Sequence, residues 1–581
     1  MRDRRVEAVL FGLVMLLNVG IYTFLIMDRR MPRCHDGLQL YQLRFVFFSH
    51  AAAGGGVPFW IPCMTQGTVS SMAFALATDI PQGVTLLLAR LLEDANFLTL
   101  FLLQFLFDEV LLLIGIWRLG RWYGLSPPAL FFVGVAITGT NFWPEQPAFT
   151  FLLYYAVPLV MALLHEALAE GSRVKLCLAA NLFLLQALAN PPYILLIAGL
   201  AVAVYFAVHA TLFWRQVRPG LRAWRPVRVD LLWALSLAVS LGVVLCMGFA
   251  DTHNVVLNAQ GRNPDGTNSL QVFLAHGGRT DPLRYLDLIF GLGPHVDSTY
   301  FCGYLTLAFA FLALFTRPVR ATLQMMICMV LAMLFSLGAG SVVGPMSFYF
   351  VPGLAYYRHV ALIVPVVKLF LVLLAGFGFE GFVRDKPWCR APAMLASAGL
   401  VLVALVEATV AAAARRHSPW TLELPRLLAG CPPVDERLVP EVLNYSTLSS
   451  ALSSAATCAA FAGFLLLVYG LSRRALPTII VLILFIHPLD LFGWKFYQLF
   501  IRTAQQSREL QAAEMPRGWR YQASRAADGY AGRRLAALPR TALGVPGCGD
   551  LLWFAQQYIE VDTPFSGLRT DYWMRPLNDF M

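Results

Sequence analysis

A chain of 581 residues that is 58% hydrophobic and only 13% charged cannot coat a water-soluble globule of its size, since a soluble domain is about a quarter charged. The mean hydropathy of +0.63 therefore excludes a soluble enzyme. The net charge of +10 does not point to nucleic acid, because Lys and Arg fall in short clusters and form no stripe beside stacking aromatics.

The apolar residues come in blocks of about 18–25, the length that crosses a hydrocarbon core of about 30 Å. The first block, 6–27, follows a basic start and is succeeded by Met27-Asp28-Arg29-Arg30 with no small-residue cleavage site, so it reads as a retained span. Further spans are predicted near 96–117, 127–142, 147–166, 175–190, 192–214, 230–250, 299–316, 320–338, 358–382, 392–413, 449–471 and 475–497. The expected fold is thus an all-α polytopic membrane protein with about 13 transmembrane helices.

The connectors 118–124, 171–175, 215–228, 317–320, 384–390 and 473–474 are all basic, which places them and the N-terminus in the cytoplasm. The opposite side then holds the loops 29–95, 251–298, 340–357 and 414–447 and a C-terminal extracytoplasmic tail, 498–581. That tail is polar, rich in Arg, Ala and Gly, and carries the aromatic pairs Trp553-Phe554 and Tyr572-Trp573, a composition suited to a small cap. Of the cysteines, Cys34, Cys63, Cys302, Cys431 and Cys548 fall outside or at the outer edge, where Cys34 with Cys63, or Cys431 with Cys548, could pair. No His/Cys cluster has structural zinc spacing.

The first outer loop is too long for a connector. Leu38, Tyr41, Phe45 and Phe48 recur at three and four residues, the pattern of an amphipathic helix lying on the membrane surface. Asp36 stands just before it, where a carboxylate can cap the helix or act as general base toward an acceptor hydroxyl. Asp79 is a second outer acid, and Trp60 lies between the two. Glu145 beside Trp143 could hold a sugar, although an interfacial aromatic belt gives the same pattern. His253, in Asp251-Thr252-His253-Asn254, belongs to a group suited to sugar hydroxyls, a divalent cation or plain solvation. Inside the predicted spans, Asp108, Glu109 and Lys368 carry the cost of buried charge, and an ion pair of the acids with Lys368 or Arg118 is expected ahead of catalysis.

The order Asp36-Gly37, Gly56-Val57-Pro58-Phe59-Trp60-Ile61-Pro62, Gln66-Gly67 resembles the first outer loop of the YfhO-like membrane proteins of the GT-C glycosyltransferase superfamily. Arg121-Trp122-Tyr123-Gly124-Leu125-Ser126, the stretch from Gln186 through Asn190-Pro191-Pro192-Tyr193, Pro352-Gly353-Leu354-Ala355-Tyr356-Tyr357-Arg358 and Ala375-Gly376-Phe377-Gly378 continue the likeness in the same order. It covers about the first 385 residues. Ile61 stands where the family has asparagine, and the outer tail is shorter than the domain many members carry.

The resemblance implies a GT-C-like core over 1–385, additional transmembrane helices over 386–497 and the tail. It implies a glycosyltransferase in a bacterial-type inner (plasma) membrane that moves a sugar from a polyprenyl-phosphate donor to a glycan, lipid or protein acceptor on the extracytoplasmic face. Asp36 maps onto the acid that serves the acceptor, and Arg358 with His359 onto the donor-phosphate site, where an Arg fork suits phosphate oxygens. Asp79, His253, Glu145 and Trp60 are further candidates for substrate or metal contact; a divalent cation is compatible with them, and no other cofactor is implied. Two other readings remain open, a lipid-linked glycan transporter and a catalytically silent scaffold subunit of a membrane complex.

Overall fold

The computed structural model describes residues 2–27, 60–61, 68–69, 80–91, 97–140, 154–189, 196–223, 233–235, 237–239, 241–242, 263, 267–275, 282–290, 300–315, 319–357, 360–384, 387–421 and 445–496. These residues are almost wholly helical; the exception is an antiparallel ladder of two very short strands, β1 (Trp60–Ile61) and β2 (Thr68–Val69), in the register Trp60 to Val69 and Ile61 to Thr68. In chain order the main helices are α1 (Arg2–Met27), α2 (Ile80–Leu91), α3 (Phe97–Trp122), α4 (Pro127–Gly139), α5 (Val157–Glu170), α6 (Arg173–Ala189), α7 (Gly199–Leu212), α8 (Trp214–Ala223), α9 (Tyr304–Ala313), α10 (Val319–Ser336), α11 (Val343–Phe350), α12 (Val364–Val383), α13 (Arg390–Arg415), α14 (Tyr445–Leu471) and α15 (Leu476–Phe496). Six of the described helices are long and apolar enough to cross a membrane: α1, α3, α12 with the turn before it, α13, α14 and α15. Shorter apolar helices occupy α4, α7, α9 and most of α10.

Their boundaries follow local chemistry. Prolines that lack a backbone N–H begin α4 (Pro127, Pro128), α5 (Pro158) and α12 (Pro365), where the first-turn donors have no partner in the helix. Gly171 closes α5 in the left-handed conformation at φ 64°, which an L side chain rarely adopts. α5 starts later than its apolar block, at Val157 rather than near 147. The amphipathic segment predicted at 38–48 lies outside the described residues.

The core is built around α12 and α4. Every residue of α12 from Val364 to Phe382 is buried, and so is every residue of α4 from Ala129 to Gly139. Neither helix has a polar face, the mark of a helix enclosed by others. α4 packs against α1, α3, α12 and α15, and α12 against α9, α10 and α4. Close approach depends on missing side chains: a Cβ on Gly378 would lie 1.8 Å from the carbonyl oxygen of Phe309 on α9, and one on Gly376 2.5 Å from Val133 of α4. Outward, α1 and α13 expose Leu16 (66%), Leu395 (62%) and Leu402 (62%), rows of apolar side chains that suit contact with lipid.

Ionic ties hold the ends that the basic connectors predict to be cytoplasmic, among them Arg121 of α3 with Glu7 of α1 at 3.5 Å. Arg118 of α3 grips Glu166 of α5 through two parallel bonds of 2.5 and 2.6 Å, and Lys175 of α6 reaches the same carboxylate at 2.7 Å. Glu380 of α12 accepts from the backbone N–H (2.8 Å) and hydroxyl (2.6 Å) of Ser126 ahead of α4, while Arg384 binds its other oxygen at 2.5 Å.

Candidate functional site

At the opposite end of the core, five helices bring charge together inside apolar surroundings. α4 stops at Gly139, leaving its last carbonyls without intrahelical donors. Lys495, near the end of α15, donates to the Thr138 carbonyl at 3.0 Å and to Glu109 Oε1 of α3 at 2.7 Å. Lys368, in the second turn of α12, donates to the Thr140 carbonyl at 2.9 Å. Tyr22 of α1 donates its hydroxyl to Glu109 Oε1 at 3.1 Å. The negative end of the α4 dipole thus attracts two ammonium groups, one of which also neutralises a carboxylate. The Lys495 and Glu109 side chains are 2% and 1% exposed, so the pair is shielded from water.

Glu109 does not take the expected ionic partner. Glu109 pairs with Lys495 and not with Lys368 or Arg118, and Arg118 is committed to Glu166. Arg118 is nine residues further along α3, about 14 Å away at helical rise. α15 packs directly on α4 and carries Lys495 to Glu109 instead. Asp108 is buried beside Glu109.

Asp287 and Cys302 lie within electrostatic reach of Lys368. The buried Arg284 sets its guanidinium 4.8 Å over the Tyr300 ring, a cation–π geometry. The backbone on both sides of Arg358 and His359 is anchored: Asn268 binds the Ala355 and Tyr357 carbonyls at 2.8 and 2.9 Å, and Val360 to Ile363 are buried. Asp36, Asp79, Glu145, His253, Arg358 and His359 themselves lie outside the described residues. Trp60 is described through its backbone alone, paired with Val69. The proposed cysteine pairings also fall outside; Cys302 is a buried free thiol.

Two polar groups escaped the sequence reading. Tyr123, Tyr205, His165, Gln324 and His209 form a buried hydrogen-bonded chain: Tyr123 and Tyr205 share a hydroxyl contact, His165 Nε2 meets Tyr205 at 2.6 Å, and His209 Nδ1 lies 3.1 Å from Gln324 Oε1. Trp122 stacks on His165. Elsewhere Tyr304 of α9 donates to Glu407 of α13 at 2.6 Å. A charged residue within an apolar block was the available signal for Glu407; the histidine chain gave none, because His and Tyr are tolerated singly in such blocks. Among the described residues no group of three or more His, Cys, Asp or Glu side chains could hold a metal ion.

The fold and this buried charge define a multi-pass α-helical membrane protein. No family model, no curated protein and no solved structure matches the chain.

Proposed function

We propose that the chain is a membrane glycosyltransferase of the GT-C type, with about 13 spans, that uses a polyprenyl-phosphate sugar on the extracytoplasmic face. The observation that supports it best is the convergence of Lys368, Lys495 and Glu109 at one end of the core. By chain direction, α1 ends at that side, α3 begins there, α4 ends there and α12 begins there. In sequence, Asp36 and Glu145 lie in the stretches that follow α1 and α4, and Arg358 and His359 in the stretch that precedes α12.

In this reading the acceptor oxygen attacks the anomeric carbon while the bond from that carbon to the phosphate oxygen breaks. Polyprenyl phosphate leaves as an anion, and Asp36 takes the acceptor proton. Arg358 and His359 bind the phosphate whose charge grows as the bond breaks, an interaction stronger in the transition state than in the ground state. One face-inverting displacement suffices, because no second carboxylate stands at nucleophile spacing from the first in the sequence. Asp79, Glu145, His253 and Trp60 are assigned to sugar, acceptor or cation contact.

The test incubates purified full-length protein with a panel of polyprenyl-phosphate sugars and candidate acceptors and measures released polyprenyl phosphate. Release by the parent and its loss in Asp36→Asn at equal expression is the expected result. Absence of release across the panel refutes the transferase. Movement of the intact lipid-linked sugar across reconstituted vesicles would assign transport instead.

A further inference from the structure

The helix pair α13 and α14 carries a feature that the transferase reading leaves unused. The two helices touch tightly toward one end, where Ser397 donates to the Gly463 carbonyl at 2.7 Å and a Cβ on Gly470 would lie 2.5 Å from Met394. Toward the other end the floor between them is made of Ala404, Ala411 and Ala456, and the helices leave an open groove of about 670 Å³. Leu405, Phe461 and Phe464 wall it. Small residues allow the helices to approach, and the larger side chains beside them make a channel on the lipid-facing surface.

The groove's one charged residue stands at its mouth, and deeper in the Thr457 hydroxyl is turned back to the Ser453 carbonyl at 2.8 Å. Arg415, at the last turn of α13, donates from Nε to the Ser449 hydroxyl at 2.9 Å and from Nη2 to the Ser453 hydroxyl at 2.8 Å. Among the described residues no carboxylate lies within ion-pair distance of it. Two hydroxyls thus orient an exposed guanidinium that no carboxylate among the described residues neutralises. From Val401 to Arg415 the groove runs 14 residues, about 21 Å at helical rise. A bilayer is about 40–45 Å thick with its headgroups, so this length spans one leaflet from headgroup level to the middle.

We propose that the α13–α14 groove is a binding site for one anionic phospholipid, with its phosphate on Arg415 and an acyl chain along the alanine floor. Length, polarity and charge match that occupant together. A second membrane helix would fill the apolar channel but leave the arginine unneutralised, and a soluble anion would answer the charge but not the channel. The site is independent of the proposed reaction.

The experiment uses full-length protein in mild detergent, titrated with phosphatidylglycerol or phosphatidylcholine of identical acyl chains and read by native mass spectrometry, with inorganic phosphate as a third arm. The expected result is a retained phosphatidylglycerol adduct, weakened about tenfold by Arg415→Gln through loss of a charge-assisted bond, and unchanged by Arg416→Gln. Ala408→Phe, which narrows the channel from its lipid-facing wall, removes the adduct without touching the charge. Equal retention of the two lipids by the parent, or full retention in Ala408→Phe, overturns the proposal. Protection of Arg415 from a guanidine-modifying reagent by inorganic phosphate as well as by the lipid would overturn it in favour of a free-anion site.

Discussion

Replacing Lys495 by Met removes the ammonium while keeping most of the stem, and so isolates the charge of the buried pair. Glu109 then loses its 2.7 Å partner and keeps the Tyr22 hydroxyl at 3.1 Å, while the Thr138 carbonyl loses a donor at 3.0 Å. Breaking a buried pair on one side costs about 3–5 kcal/mol, because the remaining charge has no water to turn to. The assay is equilibrium unfolding in mixed micelles on the parent, Lys495→Met and the double variant Lys495→Met with Glu109→Gln. The single variant should lose about 3–5 kcal/mol, and the double variant should recover most of the loss. A double variant as weak as the single would refute the reasoning that buried charge, and not packing, sets the cost.

Glu380→Ala should loosen the opposite end of the core. It leaves the Ser126 N–H and hydroxyl without their acceptor and is expected to cost about 2–3 kcal/mol in the same unfolding assay. Gly378→Ala should prevent accumulation of monodisperse protein, since its methyl group would meet the Phe309 carbonyl; Gly399→Ala, with nothing within 4 Å, should be neutral or gain up to about 1 kcal/mol. Fluorescence-detected size exclusion separates the two. Arg358→Lys keeps the charge but loses the fork, and should raise KM for the polyprenyl-phosphate sugar about tenfold with a smaller fall in kcat.

Helices were legible because hydrophobic block length is a one-dimensional property. Each predicted span that reaches described residues holds helix there, although 154–156 and 300–303 within two of them are not helical, and six helices meet the length and apolarity needed to cross. The late start of α5 was not legible, since the stretch before it is as apolar as the helix itself. Charge partners were legible only in half. Asp108, Glu109 and Lys368 stand out because each interrupts an apolar run, yet the partner of Glu109 lies 386 residues away at the end of α15, where a lysine reads as an ordinary interfacial anchor. Lys495 reaches Glu109 because α4 is short. It ends at Gly139, and the carbonyls there draw lysines from two of the helices packed on it, α12 and α15, into the interior. A short, wholly apolar helix between longer ones is therefore itself a sequence signal: its ends must fall inside the bilayer or inside the bundle, and polar side chains from elsewhere in the chain have to meet them. Read that way, the 127–142 block predicts buried donors near Gly139, and Lys368 and Lys495 are the described cations found there.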